Sequence, residues 1–150
     1  MRSSILMITV AFMLLITACA TAPSKPVEFA TEPQTPDEQA VAQMLESWMA
    51  ALNEPNLDRY LSYYAPEATI EADVTKGITS KDVYAAAMRS VKIDTRIVLK
   101  HTKIEMIPPD RSHVEADQYN FLRSGTQIKR HSFDLVRRDG QWLIVEERHL

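Results

Sequence analysis

Thr35-Pro36-Asp37-Glu38-Gln39-Ala40-Val41-Ala42-Gln43-Met44-Leu45-Glu46-Ser47-Trp48-Met49-Ala50-Ala51-Leu52 is the stretch from which the fold can be read. It opens with a hydroxyl at the N-cap, a proline where the missing N–H costs nothing, and a carboxylate three residues on, which together make a capping box. Val41, Met44, Leu45, Trp48, Met49 and Leu52 then recur at i, i+3, i+4, i+7, i+8 and i+11, which puts one continuous apolar stripe on a helix. Asn53-Glu54-Pro55-Asn56 breaks that helix. Asn56 can cap a second, short one with Leu57, Tyr60, Leu61 and Tyr64 on a shared face, ended by Pro66. Residues 68–73 fit a short strand, and Gly77-Ile78-Thr79-Ser80 leads into a third helix with Val83, Tyr84, Ala87, Met88 and Val91 inward.

Past Val91 the apolar period drops from about 3.6 toward 2, and the rest reads as strands. Ile97, Leu99 and His101 part from Val98, Ile104 and Met106 along a first strand that stops at Pro108-Pro109-Asp110. Residues 113–122 alternate Val114, Ala116, Gln118 and Asn120 against Glu115, Asp117, Tyr119 and Phe121. Ser124-Gly125-Thr126 turns the chain into a strand over 128–137, and Asp139-Gly140 marks a tight hairpin before 142–149. Three helices followed by an antiparallel meander make an α+β layout, with the helices covering one face of a curved sheet.

The chain has 150 residues and a net charge of −3, which favours one domain and gives no reason to expect nucleic acid as a partner. A single cysteine rules out an intramolecular disulfide, so packing must hold the fold. That cysteine closes Leu15-Ile16-Thr17-Ala18-Cys19, behind an apolar run over 5–16 that follows Arg2 and is too short to span a bilayer. The arrangement resembles a bacterial lipoprotein signal with its lipobox. It implies that 1–18 are a signal peptide, that Cys19 is acylated and so takes membrane lipid as a partner, and, because Ala20 stands where inner-membrane retention favours aspartate, that the protein sits on the periplasmic face of the outer membrane. Residues 19–34, with Pro23, Pro26 and Pro33, read as the lipidated cysteine and a tether. Val27 and Phe29 are the residues able to pin part of that tether onto a domain over 35–150.

Three motifs in order, 48–53, then 57–61 and 64–70, then 133–142, resemble the nuclear transport factor 2-like superfamily, which includes ketosteroid isomerases and SnoaL-like polyketide cyclases. They read Trp48-Met49-Ala50-Ala51-Leu52-Asn53, Leu57-Asp58-Arg59-Tyr60-Leu61 with Tyr64-Ala65-Pro66-Glu67-Ala68-Thr69-Ile70, and Phe133-Asp134-Leu135-Val136-Arg137-Arg138-Asp139-Gly140-Gln141-Trp142. The resemblance implies a cone-shaped curved sheet wrapped around the N-terminal helices, with a pocket between them. It also supplies a test, since isomerase chemistry needs a carboxylate base and two acidic donors. The family's tyrosine donor falls on Trp48, its base on Ala72 with Asp73 beside it on the opposite face, and its second donor near His131 or Ser132. None is retained, so this chemistry is not expected unless a bulge re-aims Asp73 inward.

Trp48, Tyr60, Tyr64, Tyr119, His131 and Phe133 are the candidate pocket lining. For the aromatics, core packing with hydroxyls at the pocket rim is the plainer account; for His131 it is a hydrogen-bonded structural histidine. Lys129-Arg130 and Glu146-Glu147-Arg148 read as solvated cross-strand charge, except Glu146, which shares a face with Trp142 and Ile144. His101, His113, His131 and His149 lack the spacing of a metal site, and there is no phosphate loop or nucleophile elbow, so no metal and no cofactor are expected. Two function classes remain. One is an envelope lipoprotein, without catalysis, that binds a small apolar or amphipathic ligand or makes a homodimer or protein contact. The other is a small isomerase, cyclase or dehydratase using Asp73 or His131 as base.

Overall fold

Thr35 caps helix α1 (Pro36–Asn53) as its sequence dictates: the Thr35 hydroxyl accepts from the Glu38 N–H while the Glu38 carboxylate accepts from the backbone of Thr35. The computed structural model describes residues 25–54, 56–91 and 95–150, so the signal segment 1–18 and Cys19 lie outside the described residues. Beyond α1 come α2 (Leu57–Ser62), β2 (Tyr64–Ala72), a short 3-10 turn (Asp73–Thr75), β3 (Gly77–Ser80) and α3 (Lys81–Arg89). Strands β4 (Arg96–Ile107), β5 (Arg111–Leu122), β6 (Gly125–Arg138) and β7 (Gln141–His149) complete the chain. A first strand, β1 (Val27–Phe29), precedes α1.

Among the described residues the strands form one seven-stranded sheet in the order β1-β4-β5-β6-β7-β2-β3. The four long strands make the expected antiparallel meander, while β1 on β4 and β2 on β7 pair in parallel. The sheet is mixed, open and curved around α1, an α+β architecture as expected. Its core runs from Val41, Leu45, Trp48, Met49 and Leu52 on α1 to Leu99, Val114, Phe133, Leu135 and Ile144 on the sheet. Asn53 then locks the end of α1 to the start of β4: its amide donates to the Ile97 carbonyl at 2.8 Å and its carbonyl accepts from the Ile97 N–H at 2.8 Å.

The structure corrects the sequence reading at several places, each for a local reason. The tether does not run free to residue 34, because Val27 is 1 % exposed and the Pro26 carbonyl accepts from the Leu99 N–H at 2.9 Å. The pinning by Val27 and Phe29 is therefore real, and the folded body begins ahead of Thr35. Tyr64 opens strand β2 instead of closing the second helix, since Tyr63 caps α2 and its carbonyl accepts from the Ile144 N–H. On α3 the inward face is Tyr84 and Ala85 with Met88 beside them, so Val83 and Val91 point to solvent. Two bulges reset the strand alternation. In β4 a register shift between Lys100 and Lys103, with His101 at φ 52°, sends His101 outward to Asp117. In β7 Leu135 pairs with Ile144 while Asp134 pairs with Glu146, so Val145 is the extra residue, and Glu147 rather than Glu146 turns into the cone.

Candidate functional site

Burying a tyrosine requires a partner for its hydroxyl, and three tyrosines in the helical half of the chain find theirs in one place. Tyr60 on α2, Tyr64 at the start of β2 and Tyr84 on α3 converge under Trp48, which stacks on Tyr60 with ring centres 5.5 Å apart. The Tyr64 hydroxyl donates to Glu147 Oε2 at 2.7 Å, and it lies 2.8 Å from the Tyr60 hydroxyl, itself 3.2 Å from that of Tyr84. Each phenol has one hydrogen. Because Tyr64 gives its hydrogen to the carboxylate, Tyr60 must donate to Tyr64 and Tyr84 to Tyr60, a one-directional chain ending on Glu147. Burial, reinforced by the Glu147 charge nearby, pushes all three phenols above their ordinary pKa, so they stay protonated and act as donors.

On the far side of Glu147 stands His131, 3 % exposed, its ring parallel to that of Phe133 with centres 5.9 Å apart. Its Nδ1 lies 3.3 Å from Glu147 Oε1 but out of hydrogen-bonding alignment, and neither ring nitrogen has a hydrogen-bond partner among the described residues. His149 meets it edge-on at 4.5 Å between ring centres, and burial, then His131 and Lys129, hold the His149 imidazole below its ordinary pKa.

Tyr60, Tyr84, His131, Glu147 and His149 line one cavity of about 180 Å³, with Leu52, Met88 and Ile97 as its apolar side and Gln118, Asn120, Glu71, Asp73 and Lys129 around its opening. The opening lies where β5 and β7 end and β4 and β6 begin. The arrangement offers a buried carboxylate and a buried imidazole side by side on the wall of a half-open cavity, with phenol donors behind them. It can bind hydrogen-bonding groups, and it has the parts for moving a proton.

Of the expected lining residues, Trp48, Tyr60, Tyr64, His131 and Phe133 are brought together, Trp48, Tyr64 and Phe133 as the wall behind the network. Tyr119 is not: β5 turns Val114, Ala116 and Gln118 inward, so Tyr119 lies on the outer face against Phe121 and under the Lys100 ammonium. Asp73 sits in the 3-10 turn at the rim, where the Lys129 ammonium bonds it and holds its carboxyl below the usual carboxylate range. It is an exposed rim charge, not an internal base. Glu147, Tyr84 and His149 are the residues that sequence reading missed. The signal available for Tyr84 was the recurrence of tyrosine, instead of phenylalanine, at inward positions; for Glu147 and His149 the one-residue bulge hid the face. Among the described residues no group of three or more His, Cys, Asp or Glu side chains is placed to hold a metal, and no helix is long and apolar enough to cross a membrane.

No curated protein matches the chain. Solved structures do. A nuclear transport factor 2-like protein of unknown function from Pseudomonas putida KT2440 superposes with a TM-score of 0.68 at 18 % identity over 77 % of this chain and 87 % of that one. A second such protein, from Shewanella oneidensis MR-1, gives 0.67 at 16 % identity over 75 % and 98 %. The association domain of the Caenorhabditis elegans kinase CaMKII gives 0.64 at 13 % identity over 75 % and 94 %. These likenesses are of fold. The profile of the SnoaL-like domain matches residues 33–148, from just before the α1 cap to the penultimate residue of β7, and the chain therefore belongs to the SnoaL-like domain family.

Proposed function

We propose that this chain is an envelope lipoprotein, acylated at Cys19 on the periplasmic face of the outer membrane, whose cone binds the polar part of a small molecule against His131 and Glu147. The observation that carries the binding is His131: a buried imidazole on the cavity wall with both nitrogens unpartnered among the described residues has hydrogen-bonding capacity for something that enters. A space of about 180 Å³ is below the range of roughly 300–1,000 Å³ for drug-sized ligands, so it suits a small head and not a whole large molecule. Anchoring is supported by the lipobox resemblance at Leu15-Ile16-Thr17-Ala18-Cys19.

Binding is tested by following the His131 ring nitrogens by nitrogen-15 NMR while titrating small alcohols and ketones such as cyclohexanol and cyclohexanone. Selective His131 shifts, with affinity lost in His131→Ala, are expected; shifts scattered elsewhere, or equal affinity in the variant, would remove this site. Anchoring is tested by palmitate labelling, which Cys19→Ser must abolish. The second reading, isomerase, cyclase or dehydratase chemistry, is favoured by the placing of Glu147 beside His131 on the cavity wall, and its base would be one of these two and not Asp73. It is distinguished by solvent deuterium entering a bound ketone at the carbon next to the carbonyl, in a manner that needs His131.

A further inference from the structure

The N-terminal strand fixes which end of the cone an anchored chain would hold toward lipid. Pro26 is already hydrogen-bonded to the start of β4, so only residues 20–25 separate Cys19 from the folded body, a reach of about 20–25 Å when fully extended. Because β1 runs parallel to β4, with Val27 opposite Leu99, the chain enters at the start of β4, the same end of the sheet at which the cavity opens. That end carries an unusual surface. Phe121 and Leu122, at the tip of the β5–β6 hairpin, are each 42 % exposed and Ile128 is 55 % exposed; Val74 in the rim turn and Val91 after α3 are exposed there too. Exposed Lys25, Lys76, Arg96 and Arg123 stand among them, while Glu71 and Asp73 line the cavity opening, where Asp73 is bonded to Lys129. The opposite end is plainer, with Ile107 as its exposed large apolar residue.

We infer that the open end of the cone, with Phe121, Leu122 and Ile128 at its edge, docks on the phospholipid surface to which the chain is anchored, so that the cavity faces the bilayer. Apolar tips with interleaved basic side chains are what an interfacial surface presents to acyl chains and anionic headgroups. The inference rests on Cys19 acylation, which supplies the short leash and the local membrane. It also narrows the ligand class to an amphiphile whose small polar head reaches His131 while its tail stays in the lipid.

The test uses the full acylated chain reconstituted in vesicles of phosphatidylethanolamine and phosphatidylglycerol with brominated acyl chains. Phe121→Trp and Ile107→Trp each add one exposed reporter at opposite ends of the sheet, and the wild type supplies the background from Trp48 and Trp142. Bromine is expected to quench the reporter at 121 at least about twofold more than the reporter at 107. Equal quenching in protein that floats with the vesicles overturns docking and leaves the anchoring intact. Protein that fails to float and carries no acyl mass overturns the anchoring, and docking with it. A blue shift of the reporter at 121 that grows with protein concentration in lipid-free detergent would show a second copy covering the patch, and also overturns the inference.

Discussion

Removing one oxygen atom tests the hydrogen-bond chain at the floor of the cone. Tyr64→Phe keeps the ring against Trp48, Tyr60 and Tyr84 but takes away the hydroxyl that donates to Glu147 at 2.7 Å. Glu147 is 6 % exposed, so water cannot readily replace that donor, and its other neighbour, His131, is not aligned to donate. A hydrogen bond to a charged, buried acceptor contributes about 1.5–3 kcal/mol, and Tyr60 keeps its 3.2 Å contact with Tyr84, so the loss should fall within that range and not beyond it. The assay is urea unfolding of a domain starting at Lys25, for Tyr64→Phe, Glu147→Gln and the double variant. If the bond is what couples the two residues, the double variant loses less than the sum of the singles by about 1–2 kcal/mol. A Tyr64→Phe change below about 0.5 kcal/mol with no coupling would show that the carboxylate does not depend on this donor, and the one-directional chain would have to be abandoned.

A domain starting at Thr35 should be less stable than one starting at Lys25 by about 2–3 kcal/mol, since it loses the buried Val27 side chain and the backbone bonds of Pro26 and Ala30 to β4; equal urea midpoints would mean that β1 is not part of the cooperative unit. Trp48→Ala should cost about 3–5 kcal/mol because the side chain is fully enclosed by Tyr60, Tyr64 and Phe133, and calorimetry showing less than about 1 kcal/mol would place the apolar stripe of α1 elsewhere. His149 is held below its ordinary pKa of 6.5, so its contribution to stability is complete above that pH and is lost as pH falls through its folded value. The unfolding midpoint should therefore drop between pH 7.5 and 5 more steeply in the wild type than in His149→Asn; parallel curves would contradict that assignment.

Much of this architecture was legible in the sequence because it rests on periodicity. The stripe from Val41 to Leu52 could be buried in only one way, and the alternation through His131, Phe133 and Leu135 named an inward face that the structure keeps. The site was legible only in part, since strand alternation carries across a bulge with the wrong sign. Nothing in Leu143-Ile144-Val145-Glu146 announces that Val145 is unpaired, so simple alternation places Glu146 inward after Ile144 and Glu147 on the surface. Tyr119 failed for a different reason. β5 carries one face of small residues, Val114 and Ala116, and one of aromatics, Tyr119 and Phe121, and alternation alone does not say which of the two the cone takes. On α3, a helix of nine residues, Val83 lies beside the buried face and Val91 falls beyond the helix end, and hydropathy alone decides neither.

The bulge at Val145 separates a side chain's place in the sequence from its face on the sheet. Deleting that one valine would remove the extra residue and leave Asp134 opposite Glu146 and Phe133 opposite Glu147, so Glu147 and His149 would keep their inward faces on a strand of simple alternation. In relatives of this fold, then, gain or loss of one residue at this point can change the spacing between Ile144 and the wall acid in the sequence without moving that acid in the cavity. Columns of an alignment that look unrelated on either side of such a gap can hold the same working carboxylate.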